Sequence, residues 1–481
     1  MNRGPSMTIV QSATRTTVSA NIADFVRDLS IDDVPAPVLA RARLHMLDAL
    51  GIAVASSGMD FGRAVHRAGS RLGAGRDSRV LGFGTALPAP SAALVNGTLI
   101  HGLDFDDTHI EAIHHATAPA LAAALAVAEQ KHADGASTLL AYVIGLEVGC
   151  RLAAAGSGGF HDRGFHPTGI MGTFAAVCGT GKLRDLPQQT LVHALGLAGS
   201  QAAGILEINN SWLKRMHPGW AAHSAIVAAT MAEEGFVGPA TVFEGPHGLY
   251  ASHLGTVPDR GALGLDDLGS RWMTAEIALK PYPCCHFTHA FIDAALELRA
   301  ELSAQGTALD DVRRIDCPTS IRLMPVVTEP ADRKTAPPTI YDALFSVQYA
   351  VALALVHGRV DLAGFYDAPL DDPDVLAVAS RVTCGPDPES DYPRHFPGEV
   401  VLHTVDGRSL RRRVPASRGT PEFPLSEAEV TAKFAANAGR ELSAEVVHDI
   451  ARTFTRIEDL DDIGQLVTMC IAPEKQGVEN S

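Results

Sequence analysis

The sequence predicts a mainly α protein, in which a large helical domain is followed by a smaller α/β domain and a final helical segment. Apolar residues recur at helical spacings of three and four from residue 22 to 254. Short runs typical of strands follow residue 274, and helical spacing returns over 426–460. A return of the chain to the first domain would explain this order. We therefore predict domain segments at 1–274, 275–415 and 416–481.

Helices in the first segment are predicted where Ala-rich apolar stretches lie between Gly and Pro residues. Alanine is the strongest helix former, and small side chains allow helices to pack closely. A chain of 481 residues also exceeds the roughly 250–300 at which a single core stops growing, so a further domain is expected. The predicted helices are Val38–Ala55, Ser91–Leu103, Pro119–His132, Ala136–Ala153 and Trp220–Glu234.

The second segment mixes strands and helices. Asp406-Gly407 is a strong hairpin signal and predicts a turn between two strands. Ser426 and Glu429 form a capping-box pattern, which predicts the start of the final helical segment. The predicted strands are Val312–Cys317, Val400–Thr404 and Ser409–Val414, and the predicted helices are Phe287–Leu302 and Tyr341–Val356.

Charge and apolar content limit the classes of partner. A formal net charge of −16 argues against nucleic-acid binding, which needs a basic face to neutralise phosphates. An anionic substrate would therefore be held by a local basic cluster. The apolar stretch Ala116–Ala128 is shorter than the roughly 20 residues of a membrane span, so we expect a buried helix there and no membrane partner.

The cysteines and the N-terminal stretch indicate a cytoplasmic protein. Seven cysteines are an odd number, and apart from the adjacent Cys284 and Cys285 they are scattered, so no disulfide framework is expected. The stretch Met1–Ala20 lacks the basic region, apolar core and cleavage site of a secretory signal. We therefore expect a reducing, cytoplasmic compartment.

The densest group of titratable residues follows the predicted helix Ser91–Leu103. It begins with Asp104-Phe105-Asp106-Asp107-Thr108-His109 and extends to His115. So many charged groups cannot all be buried without partners, because desolvating a charge costs several kcal/mol. We expect them either in a cleft or at the surface, and the alternative is a solvated loop that caps neighbouring helices.

Two further clusters could bind an anion. His166 directly precedes a small-residue helix, whose N-terminal N–H groups attract negative charge. Lys214 and Arg215 form a positive patch whose chemistry suits carboxylates. The alternatives are a structural histidine and a basic loop paired with an acidic surface.

The last cluster contains Lys280, Cys284, Cys285 and His286. The adjacent cysteines lack the spacing of a zinc knuckle, and the remaining cysteines lie in separate contexts, so neither zinc nor an iron–sulfur cluster is expected. Standard phosphate-loop and nucleophile-elbow spacings are also missing. Nucleotide hydrolysis and serine-ester chemistry are therefore not supported.

Together these segments resemble the MmgE/PrpD family, which includes 2-methylcitrate dehydratase, cis-aconitate decarboxylase and iminodisuccinate epimerase. The resemblance covers nearly the whole chain and rests on the order and spacing of several motifs. These motifs are Asn96-Gly97 through His101, Asp104–Thr108, Gly145-Leu146-Glu147, Phe165–Thr168, Lys214–Ala222 and Lys280–Cys285.

The resemblance implies a large all-helical domain made from both ends of the chain, with an inserted α/β lid domain that covers the site. It also implies a homodimer and no required metal or organic cofactor. The loop over residues 109–114 varies among members beside the implied site, so the motifs do not identify the substrate. The family's site positions fall on Asp104, Thr108, His115, His166, Lys214 and Lys280, with a further position on Cys285 or His286.

These residue types suit a reaction in which negative charge develops on carbon beside a carboxyl group. Lys214 and Lys280, with His166, would hold the carboxylates of a small di- or tricarboxylate and stabilise that charge. His115 would transfer a proton, Asp104 would orient a histidine or share in proton transfer, and Thr108 would donate a hydrogen bond. The leading hypothesis is a cofactor-independent, 2-methylcitrate-dehydratase-like hydro-lyase. A cis-aconitate-type decarboxylase, an epimerase and a catalytically silent carboxylate-binding protein are the alternatives.

Overall fold

The structure is a computed structural model that describes residues 16–208 and 211–473. These residues are largely helical, as predicted. Most of the stretch Met1–Ala20, where no secretory signal is expected, lies outside the described residues. The helices before residue 275 are α1 Val18–Asp28, α2 Ala36–Ser57, α3 Asp60–Gly69, α4 Ala89–Ile100, α5 Thr117–Lys131, α6 Gly135–Ala154, α7 Gly159–Asp162, α8 Pro167–Leu183, α9 Gln188–Ala198, α10 Leu213–Glu233 and α11 Leu249–Leu254.

The first of these segments is not entirely helical. Two-residue strands β1 (Ser78–Arg79) and β2 (Ala86–Leu87) pair with each other, and β3 (Thr108–His109) pairs antiparallel with β4 (Ile277–Ala278). Strands this short give no alternating pattern that a sequence reader can recognise. The β3–β4 pair matters for the site because it joins the acidic cluster to the chain just before Lys280.

Helix α10 begins at Leu213, so the prediction that it starts at Trp220 is wrong. The positive patch is the opening of the helix and not a loop, and Pro218 lies inside it. A proline usually disfavours a helix interior, but packing overrides this preference here. A Cβ added to Gly97 on α4 would lie 2.6 Å from the Cα of Gly219, so the two helices cross at a contact that only glycines allow. This crossing brings the end of α4 close to the start of α10.

Helix α6 is long and apolar enough to cross a membrane by length and composition alone. However, 89% of its apolar window is buried inside the protein, as in the core helix of a globular domain. Helix α5 is likewise buried over most of its length, as predicted for the apolar stretch within it. Both helices pack against α8 in a core rich in alanine.

The chain from 278 to 414, together with Ile110 and Ile113, forms a second hydrophobic core that includes a four-stranded sheet. The sheet has the order β6-β5-β7-β8; β5 and β6 are parallel, and the other pairs are antiparallel. The predicted turn at Asp406-Gly407 joins β7 to β8, with Gly407 at a φ of 88°. The elements are α12 His289–Ala304, β5 Val312–Thr319, α13 Met324–Val327, α14 Ala331–Thr335, α15 Ile340–Leu344, α16 Val347–His357, α17 Pro373–Ala379, β6 Val382–Pro386, β7 Gly398–Thr404 and β8 Ser409–Val414.

The single helix predicted over Tyr341–Val356 is two helices. Helix α15 ends before Phe345, and Ser346 caps α16 by accepting a hydrogen bond from the N–H of Tyr349. A serine in this position favours the start of a new helix, because its hydroxyl accepts a hydrogen bond from an N–H in the first turn that has no backbone acceptor. Strand β6 was not predicted, since it is short and ends in Gly-Pro.

The C-terminal helices pack on the first helices of the chain. Helix α18 opens with the predicted capping box of Ser426 and Glu429 and lies against α2. A Cβ on Gly51 would lie 2.9 Å from the ring of Phe434, so the two helices are in close contact. The predicted domain boundaries and the lid role of the sheet-containing segment stay predictions. The last helices are α18 Glu427–Ala438, α19 Ala444–Phe454 and α20 Gly464–Met469.

Candidate active site

A cavity of about 560 Å³ lies between the helical core and the sheet-containing segment. Four separate parts of the chain bring the predicted site residues to it: the loop after α4, the N-cap of α8, the start of α10 and the chain just after β4. All eight of the predicted site residues line it: Asp104, Thr108, His115, His166, Lys214, Lys280, Cys285 and His286.

The cavity is lined by a carboxylate that two ammonium groups bind. The Nζ atoms of Lys214 and Lys280 each lie 2.9 Å from Oδ1 of Asp104, and Lys280 also donates to the Asp104 carbonyl at 2.7 Å. Asp104 adopts a left-handed φ of 51°. The pairing of Thr108 with Ala278 across β3 and β4 brings Lys280 to this point.

The electrostatics of this triad favour an anion. Burial alone would raise the pKa of Asp104, but the ammonium groups of Lys214 and Lys280 outweigh it and hold the pKa far below its usual range. Burial would likewise lower the pKa of Lys280, but the charges of Asp104 and Asp106 raise it. Asp104 therefore stays ionised, and two ammonium groups share one carboxylate. The triad carries one positive charge in excess, which an anionic ligand can neutralise.

His115 presents its Nε2 side to this triad. Its Nδ1 lies 2.9 Å from the carbonyl oxygen of Asp107, a geometry in which Nδ1 carries the proton. Its Nε2 lies 3.8 Å from Oδ1 of Asp104. Burial, followed by the charge of Lys214, lowers the pKa of His115 well below its usual value. The imidazole is therefore neutral in the unliganded protein, and its Nε2 can accept a proton.

His166 is a second neutral imidazole in the same cavity. It lies at the N-cap of α8, its Nδ1 is 2.9 Å from Nδ1 of His217, and its Nε2 is buried without a hydrogen-bond partner. Burial and the charge of Lys214 lower its pKa well below the usual value. The ring centroids of His166 and His115 are 5.9 Å apart, so a small ligand can contact both.

The acidic cluster before His115 is buried, so its interpretation as a surface or solvated loop is wrong. Asp107 is 2% exposed, and its carboxylate accepts hydrogen bonds from Nδ1 of His45 at 2.6 Å and from the N–H and hydroxyl of Thr117. These partners outweigh the effect of burial and lower the pKa of Asp107. Each buried charge has a partner, which is what desolvation requires.

The alternative of an exposed basic loop is also wrong. Lys214 is 8% exposed and Arg215 is 6% exposed. Nε of Arg215 donates to the carbonyl of Gly102 at 2.6 Å, and its guanidinium lies over the rings of Phe61 and Tyr341. Arg215 thereby ties the start of α10 to the loop after α4 and to helix α15.

Cys285 and His286 both line the cavity and are both uncharged. Burial, with the charge of Asp104, raises the pKa of Cys285 to about 11, so the side chain is a thiol at neutral pH. Burial and the charge of Lys280 lower the pKa of His286 to about 3. Neither residue offers a charge to a ligand, and the choice between them for the last site position stays open.

Several residues that line the cavity had no sequence signal. Tyr341, Phe345, Arg333 and Lys334 come from the segment between β5 and α16, and His161 comes from α7. The residue types in this segment form no recognisable motif. Only the packing of the sheet-containing segment against the helical core brings them to the cavity.

Three histidines form a group whose donor atoms suit a metal ion. One nitrogen from each of His101, His115 and His166 lies within 4.8 Å of the others, and imidazole is a common zinc ligand. The two ammonium groups bound to Asp104 lie at the same place and would repel a cation. The charge pattern therefore favours an anionic occupant.

Comparison with known proteins identifies the family. The family model for the MmgE/PrpD N-terminal domain matches residues 20–260, and the family model for the MmgE/PrpD C-terminal domain matches residues 282–459. The cis-aconitate decarboxylase-like protein oryM of Aspergillus oryzae is 27% identical over 96% of this chain and 99% of its own length. The cis-aconitate decarboxylase of Homo sapiens is 27% identical over 96% of each chain.

A second group of relatives is named for a different reaction. The 2-methylcitrate dehydratase of Cupriavidus necator is 23% identical over 72% of this chain and 73% of its own length. The two family domains together extend over most of the chain, and the residues that line the cavity fall within them except Lys280, which lies between the two matched ranges. The chain belongs to the MmgE/PrpD family.

Proposed function

We propose that this protein is a lyase that decarboxylates a small unsaturated tricarboxylate such as cis-aconitate. The observation that supports a polycarboxylate substrate is the buried triad of Asp104, Lys214 and Lys280, which has one uncompensated positive charge. The choice of decarboxylation rests on similarity along the full length. Relatives named cis-aconitate decarboxylase align with 95–96% of this chain, whereas those named 2-methylcitrate dehydratase align with 72–80%.

Substrate capture follows from the charges. A substrate carboxylate that approaches Lys214 meets an ammonium group that is only partly neutralised, because Asp104 is bound by Lys280 as well. In a site that excludes water, preorganised cations interact more strongly with a developing negative charge than water does, and removing one such donor typically costs about 10²–10³ in rate. Lys280 is fully buried and also bonds to the Asp104 carbonyl, so it holds Asp104 in place as well.

The chemical step needs one proton. When the bond between carbon and a carboxylate breaks, CO₂ leaves. The electron pair of that bond stays on the substrate and is delocalised over its double bond and the neighbouring carboxylate. One proton must then be added to carbon. We assign its delivery to Nε2 of His115, since Nδ1 is already committed to the Asp107 carbonyl. Binding of a polyanion raises the pKa of a nearby imidazole, so His115 can take up this proton as the substrate arrives.

Dehydration is the second candidate, and the presence of His166 beside His115 in the cavity favours it. Elimination of water needs a base that removes a proton from carbon and an acid that protonates the departing hydroxyl. His115 and His166 lie on the same cavity with ring centroids 5.9 Å apart and could divide these roles. Substrates of the 2-methylcitrate type would then lose water, and a dicarboxylate could be epimerised by the same pair.

A direct assay separates the candidates. Purified protein is incubated with cis-aconitate and, separately, with 2-methylcitrate, while CO₂ release and absorbance of the conjugated double bond are recorded. We expect CO₂ from cis-aconitate and little change with 2-methylcitrate. Formation of a double bond from 2-methylcitrate without CO₂ release would establish the dehydratase instead. No reaction with either acid, together with tight binding of both, would indicate a carboxylate-binding protein.

A further inference from the structure

His101 is a buried histidine next to the cavity that the chemistry above does not use. It is 1% exposed and lies at the C-terminal end of α4. Its Nδ1 donates to both carboxylate oxygens of Asp106, at 2.8 and 2.9 Å, and its Nε2 is buried without a hydrogen-bond partner. Asp106 is also 1% exposed. The two residues form a closely held imidazole–carboxylate pair.

The pair is suited to hold an extra proton. A buried carboxylate is costly unless a cation compensates it. The ring of His101 bonds to both of the Asp106 oxygens, and it supplies that cation when Nδ1 and Nε2 are both protonated. The pair is then neutral overall, with one acidic hydrogen on Nε2.

The position of His101 connects this proton to the catalytic histidine. Its ring centroid is 4.5 Å from that of His115 and 5.7 Å from that of His166. One nitrogen of each ring lies within 4.8 Å of the others, a separation that a single water molecule can bridge. His101 is not among the residues that line the cavity, so a substrate can fill the cavity without displacing it.

We propose that His101, held by Asp106, is a positioning residue that supplies the proton used by His115. This inference rests on the proposed function and adds the source of its proton. As substrate binds, Nε2 of His101 gives its proton, through one water, to Nε2 of His115. His115 then protonates carbon as CO₂ leaves, and both rings are neutral. After product departs, one proton from solvent restores the pair of His101 and Asp106, so each turnover consumes one solvent proton and releases one CO₂.

The test removes the imidazole and replaces it from solution. We expect His101→Ala to lower kcat about 10²-fold, the low end of what a positioned proton donor contributes, with KM changed less than about threefold. Added imidazole should restore kcat in proportion to its concentration at fixed pH and ionic strength. Asp106→Asn should lower kcat similarly, because the amide no longer balances a charged ring. Unchanged kcat in both variants, or a loss in His101→Ala that imidazole does not relieve, would overturn the proposal.

A matched control and a second readout keep the outcomes separate. His289 is also fully buried with an unpartnered Nδ1 but does not line the cavity, so His289→Ala should show no response to imidazole. Nitrogen-15 NMR of histidine-labelled wild-type protein tests the pair without any turnover. We expect protons on both nitrogens of His101 in the unliganded protein, identified by the signals missing in His101→Ala. A singly protonated His101 would refute the inference that the pair stores a proton, even if decarboxylation is established. A doubly protonated His101 would support the stored proton even if the protein proves not to be a decarboxylase.

Discussion

Replacing Asp104 by asparagine tests the charge balance on which the site depends. The substitution keeps the size of the side chain and removes its charge, so the ammonium groups of Lys214 and Lys280 lose their shared partner at 2.9 Å. Asparagine also tolerates the left-handed φ of 51° better than most residues. The effect can therefore be assigned to charge and not to backbone strain.

The expected loss of stability is large. Asp104 is 4% exposed and Lys280 is fully buried, and removing one partner of such a buried ion pair costs about 3–5 kcal/mol. Asp104→Ala should cost roughly 1–2 kcal/mol more, because alanine is disfavoured at a positive φ. Urea unfolding followed by circular dichroism measures both free energies of unfolding. The double variant Asp104→Asn with Lys280→Met should be less destabilised than Asp104→Asn alone, since it removes one of the unpaired charges.

Binding of a tricarboxylate to the Asp104→Asn variant tests the same charge balance in a second way. The asparagine variant has two uncompensated ammonium groups, so a tricarboxylate should bind it more tightly than it binds wild type and raise its unfolding temperature further. Propane-1,2,3-tricarboxylate is a suitable saturated probe. Equal unfolding free energies for wild type and Asp104→Asn, or a smaller ligand-induced shift in the variant, would refute the charge balance described here.

Three further predictions concern catalysis, pH and the surface. Lys214→Met should lower kcat/KM about 10²–10³-fold in the decarboxylation assay, with unchanged kinetics contradicting its role. Burial lowers the pKa of His114 to about 3, so the unfolded chain takes up a proton below about 6.5 that the folded chain does not, and stability falls as the pH drops. Between pH 6.5 and 4 this group accounts for a loss on the order of 3 kcal/mol, and His114→Gln should lose less stability than wild type over that range. Arg322→Gln breaks a half-exposed ion pair with Asp162 and should cost less than about 1 kcal/mol in urea unfolding.

Local sequence signals predicted the elements that depend on local interactions. The hairpin at Asp406-Gly407 and the capping box at Ser426 form as expected, because a turn and a helix cap involve residues only a few positions apart. The start of α10 and the break at Ser346 were missed. The start of α10 depends on a contact with a distant part of the chain, the approach of Gly219 to Gly97. The cap at Ser346 is local, and the apolar spacing on both sides of it hid the break.

The site residues were predicted from motifs, but their environment was not. The motifs and the family resemblance indicated eight candidate site residues, and all eight line one cavity. It gave no sign that Asp107 is buried against His45, which lies on α2, or that Lys214 and Lys280 share one carboxylate oxygen. Burial and partner choice are properties of the tertiary fold, and they decide which groups are charged.

The most direct test of the central claim is decarboxylation of cis-aconitate in deuterated water, with wild type and His115→Gln compared side by side. Mass spectrometry of the product and quantification of CO₂ give the stoichiometry. We expect wild type to release one CO₂ and incorporate one solvent deuterium per product molecule, and we expect His115→Gln to be at least about 10²-fold slower. Equal rates for the two proteins, or a product without solvent deuterium, would contradict proton delivery by His115 in this cavity.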